Sequence, residues 1–122
     1  MNKFITTGFL TRDPELKKLE DGNVISNSSI AINKKWKDKN GEEQTNVVFI
    51  DIVFWNKLAQ NSIKFLQKGS NILIEGELVM GTWKDKTTDK TFTKHSIKVI
   101  SVQYLNNIKT KETEEKIPSE PF

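Results

Sequence analysis

One stretch, Val47–Trp55, constrains the fold more than any other, because every residue in it except Asp51 is apolar. Successive side chains of a strand point to opposite faces, so this strand would have two apolar faces. The even positions form the natural core face: Val48, Ile50, Ile52 and Phe54. On the odd face, Phe49 and Trp55 flank Asp51. Both faces must be covered, so we expect the core on one side and a subunit or a ligand on the other.

The rest of the chain alternates between strand-like and helix-like patterns. Strands are predicted over residues 3–11, 24–36, 47–55, 70–83 and 92–105. Between the third and fourth strands, residues 56–68 change to helical spacing, with Asn56 as the predicted cap and Gly69 at the end. Glycines at positions 76 and 81 indicate bends or bulges. The apolar phase shift after Val99 indicates either a bulge in the last strand or burial of both its faces.

Three strands, a helix and two strands follow one another in the order of the OB-fold. This all-β fold is a five-stranded Greek-key barrel with one helix between strands 3 and 4. No apolar periodicity follows Asn107. We therefore expect one OB-fold domain over residues 1–108 and a flexible, disordered tail with an acidic tip over residues 109–122. The net charge of +3 divides unevenly, because lysines predominate in the domain and glutamates in the tail.

The composition excludes several classes of protein. The chain has no cysteine and one histidine, His95, which excludes disulfide scaffolds, zinc–thiolate sites, cysteine nucleophiles and multi-histidine metal sites. No nucleophile, phosphate-binding loop or metal-ligand spacing accompanies the acidic residues. We therefore expect no catalytic residue, no metal, no cofactor and no enzyme activity. Because no signal-peptide pattern and no apolar run of transmembrane length are present, we expect a cytoplasmic protein without a membrane partner.

Tryptophans lie among lysines at the ends of predicted strands. Trp36 lies in the run KKWK and Trp83 in the run GTWK, where the barrel core would have ended. A single tryptophan is more often a core residue, but an exposed indole beside ammonium groups can stack on bases while phosphates are neutralised. We interpret these two tryptophans as binding residues. For Trp55 and Phe49 the core and binding interpretations both remain open.

The basic residues favour an anionic polymer as the partner. Of the 19 basic residues, Arg12 is the only arginine, so bidentate recognition of a base is nearly absent. Two lysine-rich segments, 34–39 and 84–94, each adjoin a tryptophan and join predicted neighbouring strands. Any one lysine there serves solubility equally well, but together they predict an electrostatic track. Asp51 would repel phosphate, so we expect it either to pair with a neighbouring lysine or to lie off the path.

The sequence resembles the bacterial-type single-stranded DNA-binding proteins. The resemblance covers residues 2 to about 105 in one register, without large gaps. The matching motifs are NK at 2–3, GFL at 8–10, DPE at 13–15, WKD at 36–38, FWNKLA at 54–59, KGS at 68–70, IEGEL at 74–78 and WKD at 83–85. The resemblance implies an OB-fold protein, usually a homotetramer, that binds single-stranded DNA without sequence preference during replication, repair and recombination. A dimer remains possible, and such a protein would be nucleoid-associated.

The resemblance also implies which residues contact DNA. It places stacking aromatics at Trp36, Phe49, Trp55 and Trp83, and basic contacts at Lys3, Lys57 and Lys68. To these we add the cations that the lysine-rich segments and the lone arginine suggest: Arg12, Lys34, Lys35, Lys37, Lys84 and Lys86. Phe49 and Trp55 exchange the tryptophan and phenylalanine that are common at their positions in the family, and Asp51 replaces a residue that is often basic.

The tail departs from the family pattern in being short, about fifteen residues, with an acidic run that Lys116 interrupts. It still ends in Glu120, Pro121 and Phe122, whose terminal ring and carboxylate could enter a basic pocket of a partner protein. We expect these three residues to bind replication, repair or recombination proteins. A second interpretation is an OB-fold adaptor of the primosomal type, which would act mainly through protein–protein contacts and bind DNA weakly.

Overall fold

The structure is a computed structural model that describes residues 1–106, apart from the side chains of Trp83 and Asn106. Its elements are β1 (Phe4–Leu10), β2 (Glu15–Lys18), β3 (Val24–Lys37), β4 (Glu43–Trp55), α1 (Lys57–Phe65), β5 (Asn71–Lys84) and β6 (Thr91–Asn106). The predicted tail, residues 109–122, lies outside the described residues. Within residues 1–106, no helix is long and apolar enough to span a membrane.

Five of the strands close into a barrel. β1 pairs with β3 and β5, β3 pairs with β4, and β5 pairs with β6, all in antiparallel orientation. A short parallel pairing of β4 with β6, at Ile52 with Ile97 and Val53 with Lys98, completes the ring. The predicted OB-fold is confirmed, with α1 between the third and fourth barrel strands. The structure adds β2, a four-residue edge strand paired with β3, which the sequence did not predict.

One face of each barrel strand forms the core. The fully or almost fully buried apolar side chains are Leu10, Ile30, Ile52, Phe54, Ala59, Leu66, Ile72, Ile74, Ile97 and Val99. Ile52 and Phe54 confirm the predicted core face of β4, and Ile50 packs against the same core. Val48 contradicts that prediction, because its side chain is 52% exposed. It pairs with Ile32, which is half-buried at the edge of the core, so the core face of β4 ends at Ile50.

A bulge in β6 accounts for the phase shift in its sequence. Gly76 pairs with Val99 and Glu75 pairs with Ser101, which leaves Ile100 as the extra residue, 55% exposed. The bulge expected at Gly76 is confirmed, and of the two alternatives for the last strand the bulge is the one observed. No register shift occurs at Gly81, so no bulge lies there. A β-bulge bends the strand and increases its twist, as barrel closure requires.

The helix α1 covers the barrel end between β4 and β5. Ala59 and Ser62 are buried, and the helix packs against β3, β4 and β2. Asn56 is at the predicted N-cap position, but it has a φ of 51° and its side chain makes no cap hydrogen bond. Its Oδ1 accepts a hydrogen bond from the N–H of Val24 at 3.0 Å. Asn56 therefore ties the helix start to β3, and the helix ends at Phe65, before the predicted boundary.

Candidate nucleic-acid interface

The hairpin formed by β3 and β4 extends beyond the barrel core. Its pairing runs without a break from Ile25 opposite Trp55 to Lys37 opposite Glu43. The upper half of this hairpin exposes apolar side chains on both faces, among them Trp36 at 48% and Phe49 at 67%. Large apolar side chains on a protruding ribbon that nothing in the barrel covers are available to a ligand or to another subunit.

In the β3–β4 hairpin and in the β5–β6 hairpin, the first strand leads into the turn through the same three residues, Trp-Lys-Asp. In both turns the aspartate accepts hydrogen bonds from residues of the turn. Oδ1 of Asp38 accepts hydrogen bonds from the N–H groups of Glu42 and Asn40, each at 2.9 Å. The hydrogen bond from Glu42, together with those from Asn40 and the Gln44 side chain, lowers the pKa of Asp38 because all three favour the charged carboxylate.

At the tip of the β5–β6 hairpin, Asp85 has the equivalent role. Its Oδ1 accepts a hydrogen bond from the N–H of Thr87 at 2.9 Å, and its Oδ2 accepts one from the Thr88 hydroxyl at 3.0 Å. These hydrogen bonds lower the pKa of Asp85, with the one from Thr87 the larger cause. Each Trp-Lys pair thus precedes a turn that a charged carboxylate holds in shape.

The predicted stacking residues of the β3–β4 hairpin do not share one face. Phe49 and Trp55 lie at odd positions of β4, whose partners in β3 are Ala31 and Ile25. Trp36 pairs with Gln44, so alternation places it on the opposite face of the ribbon. Phe49 and Trp55 are six residues apart, which corresponds to about 20 Å along the strand. A polymer that contacts all three side chains must therefore wrap around the hairpin.

A cation lies against Trp55, at the barrel end of β4. The Nζ atom of Lys98 is 5.2 Å from the centroid of the Trp55 ring, within the range of a cation–π interaction. Lys98 reaches this position because β6 pairs in parallel with β4, with Lys98 opposite Val53. The half-buried indole and the ammonium group form the paired aromatic and cationic surface that single-stranded nucleic acids bind.

Asp51 forms ion pairs with two cations on the same outer face. Its Oδ2 lies 2.5 Å from Nζ of Lys94, and its Oδ1 lies 3.8 Å from Nη2 of Arg12. The expectation that Asp51 pairs with a neighbouring lysine is confirmed. Both cations and the carboxylate line a cleft of about 170 Å³, together with Asn27 and Ser96.

The remaining predicted cations divide into paired and unpaired groups. Nζ of Lys3 lies 2.9 Å from the carboxylate of Glu75, and Nζ of Lys84 lies 3.1 Å from that of Asp89. The other predicted lysines are exposed and form no ion pair with any residue in the described part of the chain: Lys34, Lys35, Lys37, Lys57, Lys68 and Lys86. The N–H of Lys68 donates to Oδ1 of Asp13 at 2.7 Å, which fixes the Lys68 backbone beside the end of β1.

The structure describes one predicted site residue only in its backbone, and three others not at all. The backbone of Trp83 pairs with Phe92 near the tip of the β5–β6 hairpin, and its side chain is not described. The predicted partner-binding residues Glu120, Pro121 and Phe122 lie outside the described residues. Their role stays a prediction.

The structure also brings two lysines to the site that the predicted contact set omitted. Lys94 belongs to a lysine-rich segment, but nothing in the sequence indicates its proximity to Asp51. Lys98 lies in a strand that alternates between apolar and polar residues, as many surface lysines do. Both positions depend on how β6 pairs with β4, which involves residues more than forty positions apart. The lysine-rich segment 84–94 was the only signal in the sequence, and it includes Lys94 but not Lys98.

The chain is similar to proteins of one known family. The model of the single-strand binding protein family matches residues 1–105. The single-stranded DNA-binding protein of Wolinella succinogenes is 39% identical over 106 residues, which cover 87% of this chain and 65% of that protein. The one from Helicobacter hepaticus is 37% identical over 106 residues, 87% of this chain and 62% of that protein. The chain thus spans less than two thirds of the length of these two relatives.

A solved structure supports the fold. A crystal structure of a deletion mutant of the single-stranded DNA binding protein from Thermus aquaticus aligns with a TM-score of 0.73 and 21% sequence identity. The alignment covers 87% of this chain and 51% of that chain. The match of the family model to residues 1–105, most of the chain, establishes the family. The chain belongs to the single-strand binding protein family.

Proposed function

We propose that this protein binds and protects single-stranded DNA without sequence preference. Bases would stack on Trp36, Phe49, Trp55 and Trp83, while phosphates contact the lysines around them. The observation that carries the proposal is Lys98 over the ring of Trp55, 5.2 Å from its centroid, on a solvent-facing strand of the barrel. Stacking on an aromatic ring accepts any base, and a lysine neutralises any phosphate, so the arrangement favours affinity without sequence selection.

The charge distribution supports the same function. The lysines of the β3–β4 hairpin, Lys34, Lys35 and Lys37, are exposed and lie next to the exposed Trp36. A flexible anionic strand that wraps around this hairpin would meet ammonium groups on either side of Trp36. Such contacts would release counterions and make the affinity depend on salt.

We extend the proposal to assembly and cellular role. The protein would act as a homotetramer in the cytoplasm, associated with the nucleoid, during DNA replication, repair and recombination. The tail over residues 109–122 would recruit partner proteins through Glu120, Pro121 and Phe122, as a carboxyl-terminal segment with an aromatic end can do in a basic pocket. The protein itself would catalyse no reaction.

A binding experiment tests the DNA proposal. Replacing Trp36 with alanine should weaken binding to oligo-dT by about 1–3 kcal/mol, the value of one stacked base, because the exposed indole has no role in the core. The measurement is the fluorescence anisotropy of a labelled dT oligonucleotide at several salt concentrations. Log affinity should fall with log salt with a slope near −0.7 for each phosphate neutralised.

Matched variants separate stacking from other effects. Trp36→Phe keeps a π-surface and should retain most of the affinity, whereas Trp83→Ala should weaken binding as Trp36→Ala does. If both alanine variants bind like the parent, the stacking assignment is wrong. If the parent binds dT only weakly but still binds proteins through its tail, the adaptor interpretation replaces the proposal.

A further inference from the structure

An acidic side chain lies in the middle of the proposed DNA path. Asp51 is on the odd face of β4, two residues from Phe49 and four from Trp55, or about 7 Å and 13 Å along the strand. Its side chain is partly open to solvent, at 24% exposure. Any strand that runs from Phe49 to Trp55 along this face must pass a carboxylate, which repels phosphate.

The carboxylate is held by two cations from other strands. Lys94 reaches it from β6 and Arg12 from the segment after β1, with Lys94 closer by more than 1 Å. The backbone of Arg12 is itself fixed, because its carbonyl accepts a hydrogen bond from the Ser28 hydroxyl at 2.8 Å. Asp51, Lys94 and Arg12 therefore form a cluster with one net positive charge, and we call it the Asp51 cluster.

The two cations of this cluster can exchange the Asp51 carboxylate for another anion. The side chains of Lys94 and Arg12 are 60% and 49% exposed, so water screens their attraction to the carboxylate. A phosphate that enters the cleft can take either cation as its partner. The Asp51 carboxylate then has one counterion fewer and lies beside the negative phosphate. The loss of that ion pair and the repulsion between the two anions make DNA binding at this position less favourable.

We propose that Asp51 is a positioning residue that lowers the affinity for single-stranded DNA, by competing with phosphate for Lys94 and Arg12 between the two stacking sites. The inference rests on the proposed function. It makes the segment between Phe49 and Trp55 the weakest part of the DNA path, although aromatic residues lie at both of its ends. Removal of one carboxylate would turn the cluster into a stronger phosphate site.

The test compares neutral variants at Asp51 with a control elsewhere. Asp51→Asn keeps the size of the side chain, and Asp51→Ser supplies a second neutral residue. Glu20→Gln makes the same change in net charge at an exposed turn residue that forms no ion pair with any described residue. Affinity for a labelled dT oligonucleotide is measured by anisotropy over a range of salt concentrations, with thermal unfolding of each variant as the check on folding.

Both Asp51 variants should bind dT about 1.5- to fivefold more tightly than Glu20→Gln does, the range that exposed charge pairs cover. The slope of log affinity against log salt should steepen by about 0.7 for each phosphate newly neutralised. Lys94→Gln should weaken binding, and Asp51→Asn added to it should restore the parental slope. Glu20→Gln added to Lys94→Gln should not.

The outcomes separate this inference from the proposed function. If the parent binds dT but the Asp51 variants match Glu20→Gln, Asp51 does not compete with phosphate. If they bind more weakly than the parent, Asp51 orients the two cations for DNA and the sign of the inference is wrong. Rescue of Lys94→Gln by Glu20→Gln would show a general charge effect and overturn the local one. A parent that does not bind dT would overturn the proposed function itself.

Discussion

Gly76 lies where β5 passes closest to β6, at the register shift between Glu75 and Gly76. A Cβ atom at this position would overlap the backbone carbonyl oxygen of Lys98 and press on the Ile97 side chain. A backbone atom in a closed barrel cannot move aside as the end of a side chain can. The absence of a side chain at residue 76 therefore allows the bulge and, with it, the placement of Lys98.

Replacing Gly76 with alanine should lower the free energy of unfolding by about 1–3 kcal/mol, the usual cost of overpacking a close-packed site. Urea denaturation followed by circular dichroism measures this change. Gly81→Ala is the matched control, because a Cβ atom there meets no atom within 4 Å. The control should leave stability unchanged or raise it by up to about 1 kcal/mol, since alanine restricts the unfolded chain. Equal effects of the two substitutions would contradict this account.

At the scale of the element, the β3–β4 and β5–β6 hairpins have the same kind of hydrogen bonding at their tips. Asp38 and Asp85 each accept backbone hydrogen bonds within their own turn, and each follows a Trp-Lys pair. A carboxylate that accepts several N–H groups fixes a short loop without any core beneath it. The tips thus hold their shape although they extend past the barrel.

The hairpin tips should loosen in acid. The folded pKa values of Asp38 and Asp85 lie below the unfolded value of about 3.9, so these carboxylates contribute stability that is complete above that value. The contribution is lost as the pH falls through the lower, folded pKa values. NMR titration of the Asn40 and Thr87 amide resonances, which belong to residues without a titrating side chain, should therefore show midpoints below about 3.9.

A single substitution checks the assignment of these titrations. Asp38→Asn should abolish the acid transition of the Asn40 amide and leave that of Thr87 in place, because the two tips are separate loops. Midpoints at or above the ordinary aspartate value would mean that the turn hydrogen bonds do not favour the charged carboxylates.

At the scale of the whole molecule, an apolar row crosses the outside of the barrel. Phe9 of β1 pairs with Ala31 of β3, and Ala31 pairs with Phe49 of β4. Phe9 and Phe49 are both exposed, as is Ile5 on the same face of β1. Phe49, at the β4 end of this row, is a proposed stacking residue, so the β1 end with Ile5 and Phe9 is the part left for a subunit contact.

A charged residue in this row should disrupt the proposed homotetramer. Phe9→Asp would place a carboxylate where each subunit would otherwise bury an aromatic ring, an effect of about 1.5–3 kcal/mol per ring. Light scattering should give four chains per particle for the parent and fewer for the variant. Leu16→Asp, at an apolar residue of the edge strand β2 that is more exposed than Phe9, should leave the mass unchanged. A parent that is monomeric, or a Phe9→Asp variant with the parental mass, would contradict the tetramer or the placement of its interface.

Several elements could be predicted because their patterns are local. Alternation and helical spacing involve residues at most four positions apart, and they placed five strands and one helix close to their observed positions. Asn56 begins the helix as predicted, but its side chain does not cap it, because Oδ1 accepts a hydrogen bond from the N–H of Val24, thirty-two residues earlier. β2 was missed because all four of its residues are exposed, so no apolar alternation marks it.

The sequence by itself determined the OB-fold, the bulge in β6 and the exposed Trp36, because each follows from the order of apolar, polar and glycine residues along the chain. Only the tertiary structure decided which charges meet which aromatic rings. Closure of the barrel brings β6 beside β4, and thereby places Lys98 over Trp55 and Lys94 on Asp51. The physical reason is that strand pairing joins residues distant in sequence, while the charge of a lysine is the same wherever the chain places it.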